Sequence, residues 1–290
     1  MAAVLAIVAI GSLIHVLLVR SQTSVALSGS SGDHRAVTRD QAASWLAAQV
    51  SRGTSMSCDH VMCAVLRAHK VPAADLDVLR PGGDPVPPLA PGGSARPAVI
   101  VATAAVRGQL GSRLSSVYAP VVIARFGSGP DRIEVRAIAM QGAPAFRAMA
   151  RADLLQRRES GAELLQTDRI VVTAVSARGE LARGQVDARL LVIIVDLAAQ
   201  QPLEVMAFGD RSPGAGLDQS PLRSAELAPA PGSPRRVGAA FARSVHAFLI
   251  AQSGPFAVAH AAPARLPDGQ VGVRFQVTAP SPLGLLGGTP

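Results

Sequence analysis

The chain has 290 residues, 49% of them hydrophobic, with a mean hydropathy of +0.30, enough apolar material for one large or two small cored domains and too much for a disordered protein. Its net charge is +8, yet only 3% of residues are aromatic, and no basic run is interleaved with aromatic residues. Stacking platforms for single strands are therefore not expected, and nucleic acid is set aside as a partner. Lys70 is the single lysine among 28 basic residues; with the abundant Ala, Gly and Pro this matches the codon bias of a high-GC genome, such as that of an actinobacterium.

Residues 2–19, AAVLAIVAIGSLIHVLLV, are apolar apart from Ser12 and His15. Eighteen helical residues rise ~27 Å, enough to cross a hydrocarbon core. The expectation is an uncleaved transmembrane anchor over 1–20. A signal peptide cleaved near Ala26-Leu27-Ser28 is the competing reading. No basic residue precedes the run while Arg20 follows it, which by the positive-inside rule favours a cytoplasmic body. The N-terminal placement of the run, as in an export signal, favours the opposite. The single-pass, extracytoplasmic arrangement in the cytoplasmic membrane is adopted, with 21–36 as a small-residue linker.

Thr38 with Gln41 three residues on reads as a capping box opening a helix whose apolar stripe is Ala42, Trp45, Leu46 and Val50, with Gly53 ending it. A strand over 54–58 follows, then a helix over 60–70 capped by Asp59, then a strand at 76–79. Residues 80–97 are rich in Pro and Gly and read as loop. The run Ala98–Ala102 reads as a buried parallel strand. A helix over 104–114 and strands at 121–126 and 133–138 follow, the strands joined by Gly127-Ser128-Gly129-Pro130. The second half reads as a helix over 145–160, a strand at 170–175, a buried helix over 186–200 and a strand at 203–208. Loop to 234, a helix over 237–252 and a hairpin of strands 256–262 and 271–278 around Pro267-Asp268-Gly269 complete it. Strands alternating with helices imply βαβ units. The expected fold is α/β, with the transmembrane helix followed by two α/β subdomains, 37–141 and 142–282, with mainly parallel sheets, a C-terminal β-hairpin and a frayed tail at 283–290.

Both cysteines lie in Ser57-Cys58-Asp59-His60-Val61-Met62-Cys63. A structural zinc site needs four N or S ligands, and no second ligand pair accompanies these two. A redox pair has two intervening residues, not four. No metal and no cofactor are expected. On one continuous helix, residues five apart are too far apart for a disulfide. With Asp59 as the cap, Cys58 instead falls one residue before it and Cys63 at the fourth helical position, the two places that meet in a hydrophobic staple. A Cys58–Cys63 disulfide is then feasible, and an oxidising compartment favours it. Two reduced, buried cysteines filling the same staple are the alternative.

Ligands of open parallel sheets bind beyond the carboxyl ends of strands. Asp59 and His60 follow one expected strand, and Thr103 and Arg107 follow another. An arginine within a turn of a helix start, beside a threonine hydroxyl, suits a phosphate or carboxylate. Asp59, His60, Thr103 and Arg107 are therefore the candidate ligand-binding residues, with helix capping as the structural reading of Asp59. Gly209-Asp210-Arg211 follow a strand of the second half in the same way. No phosphate loop or nucleophile elbow accompanies them, and no catalytic residue is singled out.

The succession Asp59 plus helix, Val99-Ile100-Val101-Ala102-Thr103 with Arg107, Ala119-Pro120-Val121-Val122-Ile123-Ala124-Arg125-Phe126-Gly127 and Arg132-Ile133-Glu134-Val135-Arg136 carries a resemblance. Residues 38–140 resemble the extracytoplasmic C-terminal region of actinobacterial membrane glycosyltransferases of the dolichyl-phosphate-mannose mannosyltransferase type, and a group of uncharacterised actinobacterial single-anchor membrane proteins. The resemblance implies an α/β envelope domain. It implies no transferase activity, because catalysis in those enzymes belongs to a multi-span part that has no counterpart in this sequence. The expected function is a non-catalytic binding or accessory module for an envelope protein or glycopolymer. The alternative is an enzyme of envelope glycan metabolism, or a glycosyltransferase-associated domain, using the strand-end cleft.

Overall fold

The computed structural model describes residues 31–80, 82, 98–215, 220–266, 269 and 271–286. The expected anchor, most of the linker, most of the 80–97 loop, the end of the tail, and Pro267 and Asp268 of the hairpin turn lie outside the described residues. Among those described, no helix is long and apolar enough to cross a membrane. Two five-stranded sheets share one compact unit, Thr38–Pro290.

The first sheet is built from α1 (Ser31–Gln49), β1 (Ser55–Cys58), α2 (His60–Ala68), β2 (Leu76–Val78), β3 (Ala98–Ala102), α3 (Ala104–Leu110), β4 (Val121–Phe126) and β5 (Ile133–Ala137), in strand order β2-β1-β3-β5-β4. All five residues of β3 are buried, and the two-residue period of a strand sends them to opposite faces. Val99 and Val101 join Ala42 and Leu46 of α1 and Met62 and Leu66 of α2 in one core. Ala98, Ile100 and Ala102 join Val106, Leu110, Leu114 and Tyr118 in another. With helices on both faces, a central strand must be apolar throughout, and its unbroken apolar run follows from that.

The second sheet takes α4 (Ala143–Leu164), β6 (Ile170–Val171), α5 (Val175–Ala182), α6 (Ala188–Gln200), β7 (Leu203–Gly209), β8 (Ser224–Pro229), α7 (Arg235–Ile250), β9 (Val258–Arg265) and β10 (Val271–Val277), in order β6-β7-β8-β10-β9. Its core gathers Leu190, Ile193, Ile194 and Leu197 of α6, Val245 and Leu249 of α7, and Val273, Phe275 and Val277 of β10.

The two sheets share a plan. β3–α3–β4–β5 and β8–α7–β9–β10 each run strand, helix, parallel strand, and then a return strand inserted antiparallel between the first two. This corrects the expectation of mainly parallel sheets. β1 is parallel to β2 and β3, and β6 is parallel to β7, but the other pairings between these strands are antiparallel. Connection length accounts for part of this: the short links β4–β5 and β9–β10 permit only hairpins, whereas a parallel neighbour needs a crossover.

Four other local expectations are corrected. α1 runs through Thr38, which therefore is not its cap. The strand expected at 170–175 stops at Val171, and α5 starts at Val175. α5 packs on α4 at Gly161, where a Cβ would lie 2.7 Å from the Leu181 carbonyl oxygen, so only glycine allows the approach. Finally, β8 occupies part of the segment read as loop. Its sequence, SAELAP, has little strand propensity, and its position between β7 and β10 imposes the conformation. The tail is not frayed as far as Leu286: the Gly284 N–H donates to Asp153 Oδ1 at 3.0 Å, and Leu286 packs on the second core.

The sheets are stitched by main-chain bonds. Ser51 N–H donates to the Ala279 carbonyl at 2.9 Å, Ala279 N–H to that of Gln49 at 2.6 Å, and Arg125 N–H to that of Pro213 at 2.7 Å.

Candidate functional site

Cys58 ends β1, Asp59 turns the chain in an extended conformation, and α2 begins at His60. Asp59 Oδ1 accepts from the Met62 N–H at 2.8 Å, so Asp59 is the cap. Cys58 and Cys63 form the disulfide, with Cα atoms 5.6 Å apart and both side chains fully buried. The staple positions read from the sequence do meet, and the bridge locks the β1–α2 corner.

β1 and β3 are parallel neighbours, so the residues just past their carboxyl ends are neighbours too. Thr103 Oγ donates to Asp59 Oδ2. The same Thr103 oxygen caps α3 by accepting from the Val106 N–H at 3.4 Å. Arg107 lies alongside, but its guanidinium is spent on backbone. Nη1 donates to the carbonyls of Ala102 at 2.7 Å and Arg132 at 2.5 Å, and Nη2 to that of Pro130 at 2.6 Å. Burial, then the charge of Arg132, brings the Arg107 guanidinium below its ordinary value. His60 is exposed on the first turn of α2. The structure thus brings Asp59, Thr103 and Arg107 to one edge, while His60 faces solvent.

The positive charge of this edge is answered internally. Glu134, 5% exposed, receives Arg132 at 2.9 Å and Arg136 at 2.7 Å, with Arg125 at 3.7 Å. Burial alone would raise the Glu134 carboxyl; the hydrogen bonds and charges of Arg132 and Arg136 outweigh it and hold the carboxyl below its ordinary value. Asp210 is structural in the same sense. It pairs with buried Arg223 at 2.9 Å and accepts from the Ser212 N–H at 2.8 Å, closing the β7–β8 connection. Among the described residues, no group of three or more His, Cys, Asp or Glu is placed to hold a metal ion.

The sizeable cavity lies at the opposite edge of the first sheet, at the amino ends of β1 and β3. It encloses about 460 Å³, within the range of small-ligand sites. Its walls come from residues 51–54, Ala98, the segment 137–149, Arg189, residues 254–255 and the strap 280–283. Ile138, Met140, Phe146, Met149, Pro282 and Leu283 make it apolar. Arg52, Gln141 and Met149 are exposed and so stand at the rim. The Thr54 hydroxyl is buried in the wall with no hydrogen-bond partner.

A buried ion pair supports the strap. Asp187 and Arg189 are each 1% exposed and 2.7 Å apart. Asp187 caps α6 by accepting from the Arg189 N–H at 2.9 Å, and accepts from Ser281 Oγ at 2.5 Å. Arg189 Nη1 donates to the Pro255 carbonyl at 3.1 Å, so the pair anchors two cavity walls. Burial would raise the Asp187 carboxyl, but the Arg189 charge and the hydrogen bonds from Arg189 and Ser281 hold it below its ordinary value.

Sequence reasoning missed this cavity because six separated segments build it and no motif marks any of them. The one local signal is Ala279-Pro280-Ser281-Pro282, a stretch too proline-rich to extend β10. No protein family matches the chain, and neither a curated protein nor a solved structure matches it.

Proposed function

We propose that this chain is a single-pass, membrane-anchored module of the cell envelope whose extracytoplasmic body binds an envelope protein or glycopolymer without transforming it. The observation that carries the setting is the Cys58–Cys63 disulfide, because such bonds persist in oxidising compartments and are rare in the cytosol. Residues 2–19 supply the anchor in this reading, and the resemblance of 38–140 to an extracytoplasmic glycosyltransferase region agrees with it. Binding without chemistry is supported by the strand-end edge, where Asp59, Thr103 and Arg107 serve caps and backbone carbonyls. The test joins a fusion reporter of sidedness to thiol labelling with and without reduction. An external body whose cysteines label only after reduction is expected. A cytoplasmic body with freely labelled Cys58 and Cys63 overturns the proposal.

A second reading is an enzyme of envelope glycan metabolism or a glycosyltransferase-associated domain. It draws on one observation, the convergence of Asp59, Thr103 and Arg107 at a single edge. It requires that Asp59→Asn, which keeps a capping oxygen, abolish turnover of an envelope glycan while leaving the fold intact.

A further inference from the structure

We infer that the 460 Å³ cavity at the amino ends of β1 and β3 is a binding site for a single-chain anionic amphiphile, an alkyl chain ending in a carboxylate or a phosphate monoester. The assignment rests on the reading of the chain as a binding module and names a ligand for it.

Three features select this chemistry. The lining of the cavity is mostly apolar. A sugar or a peptide there would leave most of its hydroxyls or amides without partners, a cost an alkyl chain does not carry. Met140, Met149 and Phe146 line it, and unbranched methionines adapt their shape to a flexible chain. Finally, the lining is electrostatically one-sided. It contains two arginines and no acidic residue. Arg189 is neutralised by Asp187 behind the wall, whereas Arg52 is exposed at the rim and has no ion-pair partner among the described residues. An anionic head seated at Arg52, with its chain running inward toward Ile138 and Leu283, satisfies both parts of the site. The strap 280–283 closes over that chain and is held by the Ser281–Asp187 and Gly284–Asp153 hydrogen bonds.

The test uses the full chain in its membrane, with dodecanoate carrying a terminal diazirine as the probe. A matching dodecyl phosphate distinguishes the two head groups, and a dodecyl trimethylammonium probe is the charge control. After photolysis, labelled peptides are mapped by mass spectrometry. Labelling is expected within 137–149 and 280–283, saturable by unlabelled dodecanoate or dodecyl phosphate. Arg52→Glu is expected to reduce it about tenfold, the loss of one charge-assisted contact. Met149→Trp, at an exposed wall position, is expected to block it by filling the cavity. An intact Cys58–Cys63 bond in both variants reports that they have folded. Labelling that is scattered, does not saturate, or is matched by the ammonium probe overturns the assignment. So does undiminished labelling of Arg52→Glu. If cleft labelling is absent while the body is external and the disulfide intact, the ligand is wrong and the module reading stands. A cytoplasmic body with saturable cleft labelling supports the ligand and overturns the envelope setting.

Discussion

Replacing Asp187 by alanine is expected to be among the most damaging single changes outside the apolar cores. The carboxylate is buried, caps α6, pairs with buried Arg189 and holds Ser281 of the strap. Stranding Arg189 without its partner costs about 3–5 kcal/mol. Loss of the cap adds about 1 kcal/mol, and part of that overlaps with the first figure. The expected total, at most about 4–6 kcal/mol, is a large fraction of the roughly 5–15 kcal/mol that stabilises a domain. Asp187→Asn isolates the charge, because its amide oxygen can still cap. Adding Arg189→Met removes the stranded cation, and an ion pair replaced by apolar groups is often neutral or stabilising. Urea unfolding at constant m-value measures all three. The sign of the pH dependence follows from the lowered Asp187 value. Its contribution is fully present above the unfolded carboxylate value, about 4, and is lost as pH falls through the lower folded value. Asp187→Asn lacks that acid-dependent loss. A stability for Asp187→Ala within about 1.5 kcal/mol of wild type refutes this account of the pair. So does a double variant no more stable than Asp187→Asn.

Three further outcomes are expected. Changing both Cys58 and Cys63 to serine opens a six-residue loop and loses about 2 kcal/mol by the loop-entropy estimate, measurable by urea unfolding. Arg107→Met frees three carbonyls at the β3 end and the β4–β5 turn. It should cost about 1–2 kcal/mol and speed amide exchange around residues 129–132 rather than across β3. Glu180 has a buried oxygen without a partner, and burial, only partly offset by Arg183, raises its value. Stability from such a group is complete below the unfolded value and declines as pH rises through the folded one. Glu180→Gln should therefore raise the melting temperature at neutral pH and change it little near pH 4; equal shifts at both pH values would refute the account.

Much of the chain was legible because its signals are local. β1, α2, β3, β4, β5, α6, β7, α7 and the closing hairpin follow from apolar period, run length and turn residues close to each segment. The Cys58–Cys63 bond was legible for the same reason, since Asp59 as a cap places both cysteines at staple positions. β8 and α5 were not. Ser224–Pro229 is a strand because two neighbours pair with it, and Val175–Ala182 is a helix presenting only Ala177 and Leu181 to the core. At the site, the sequence put Asp59 and His60 after one strand and Thr103 and Arg107 after another, and the fold makes those two strands neighbours. What those groups do there depends on which carbonyls and amides the fold brings within reach.

The sequence by itself determined that Cys58 and Cys63 meet across the β1–α2 corner, and the α/β alternation of elements, because each is set by residues a few positions apart. Only the tertiary structure decided which strands become neighbours, with β5 and β10 inserted between earlier strands, and the cavity. Long-range pairing puts residues 51–54, 137–149, 189, 254–255 and 280–283 around one space, and no local pattern encodes a volume enclosed by segments more than two hundred residues apart.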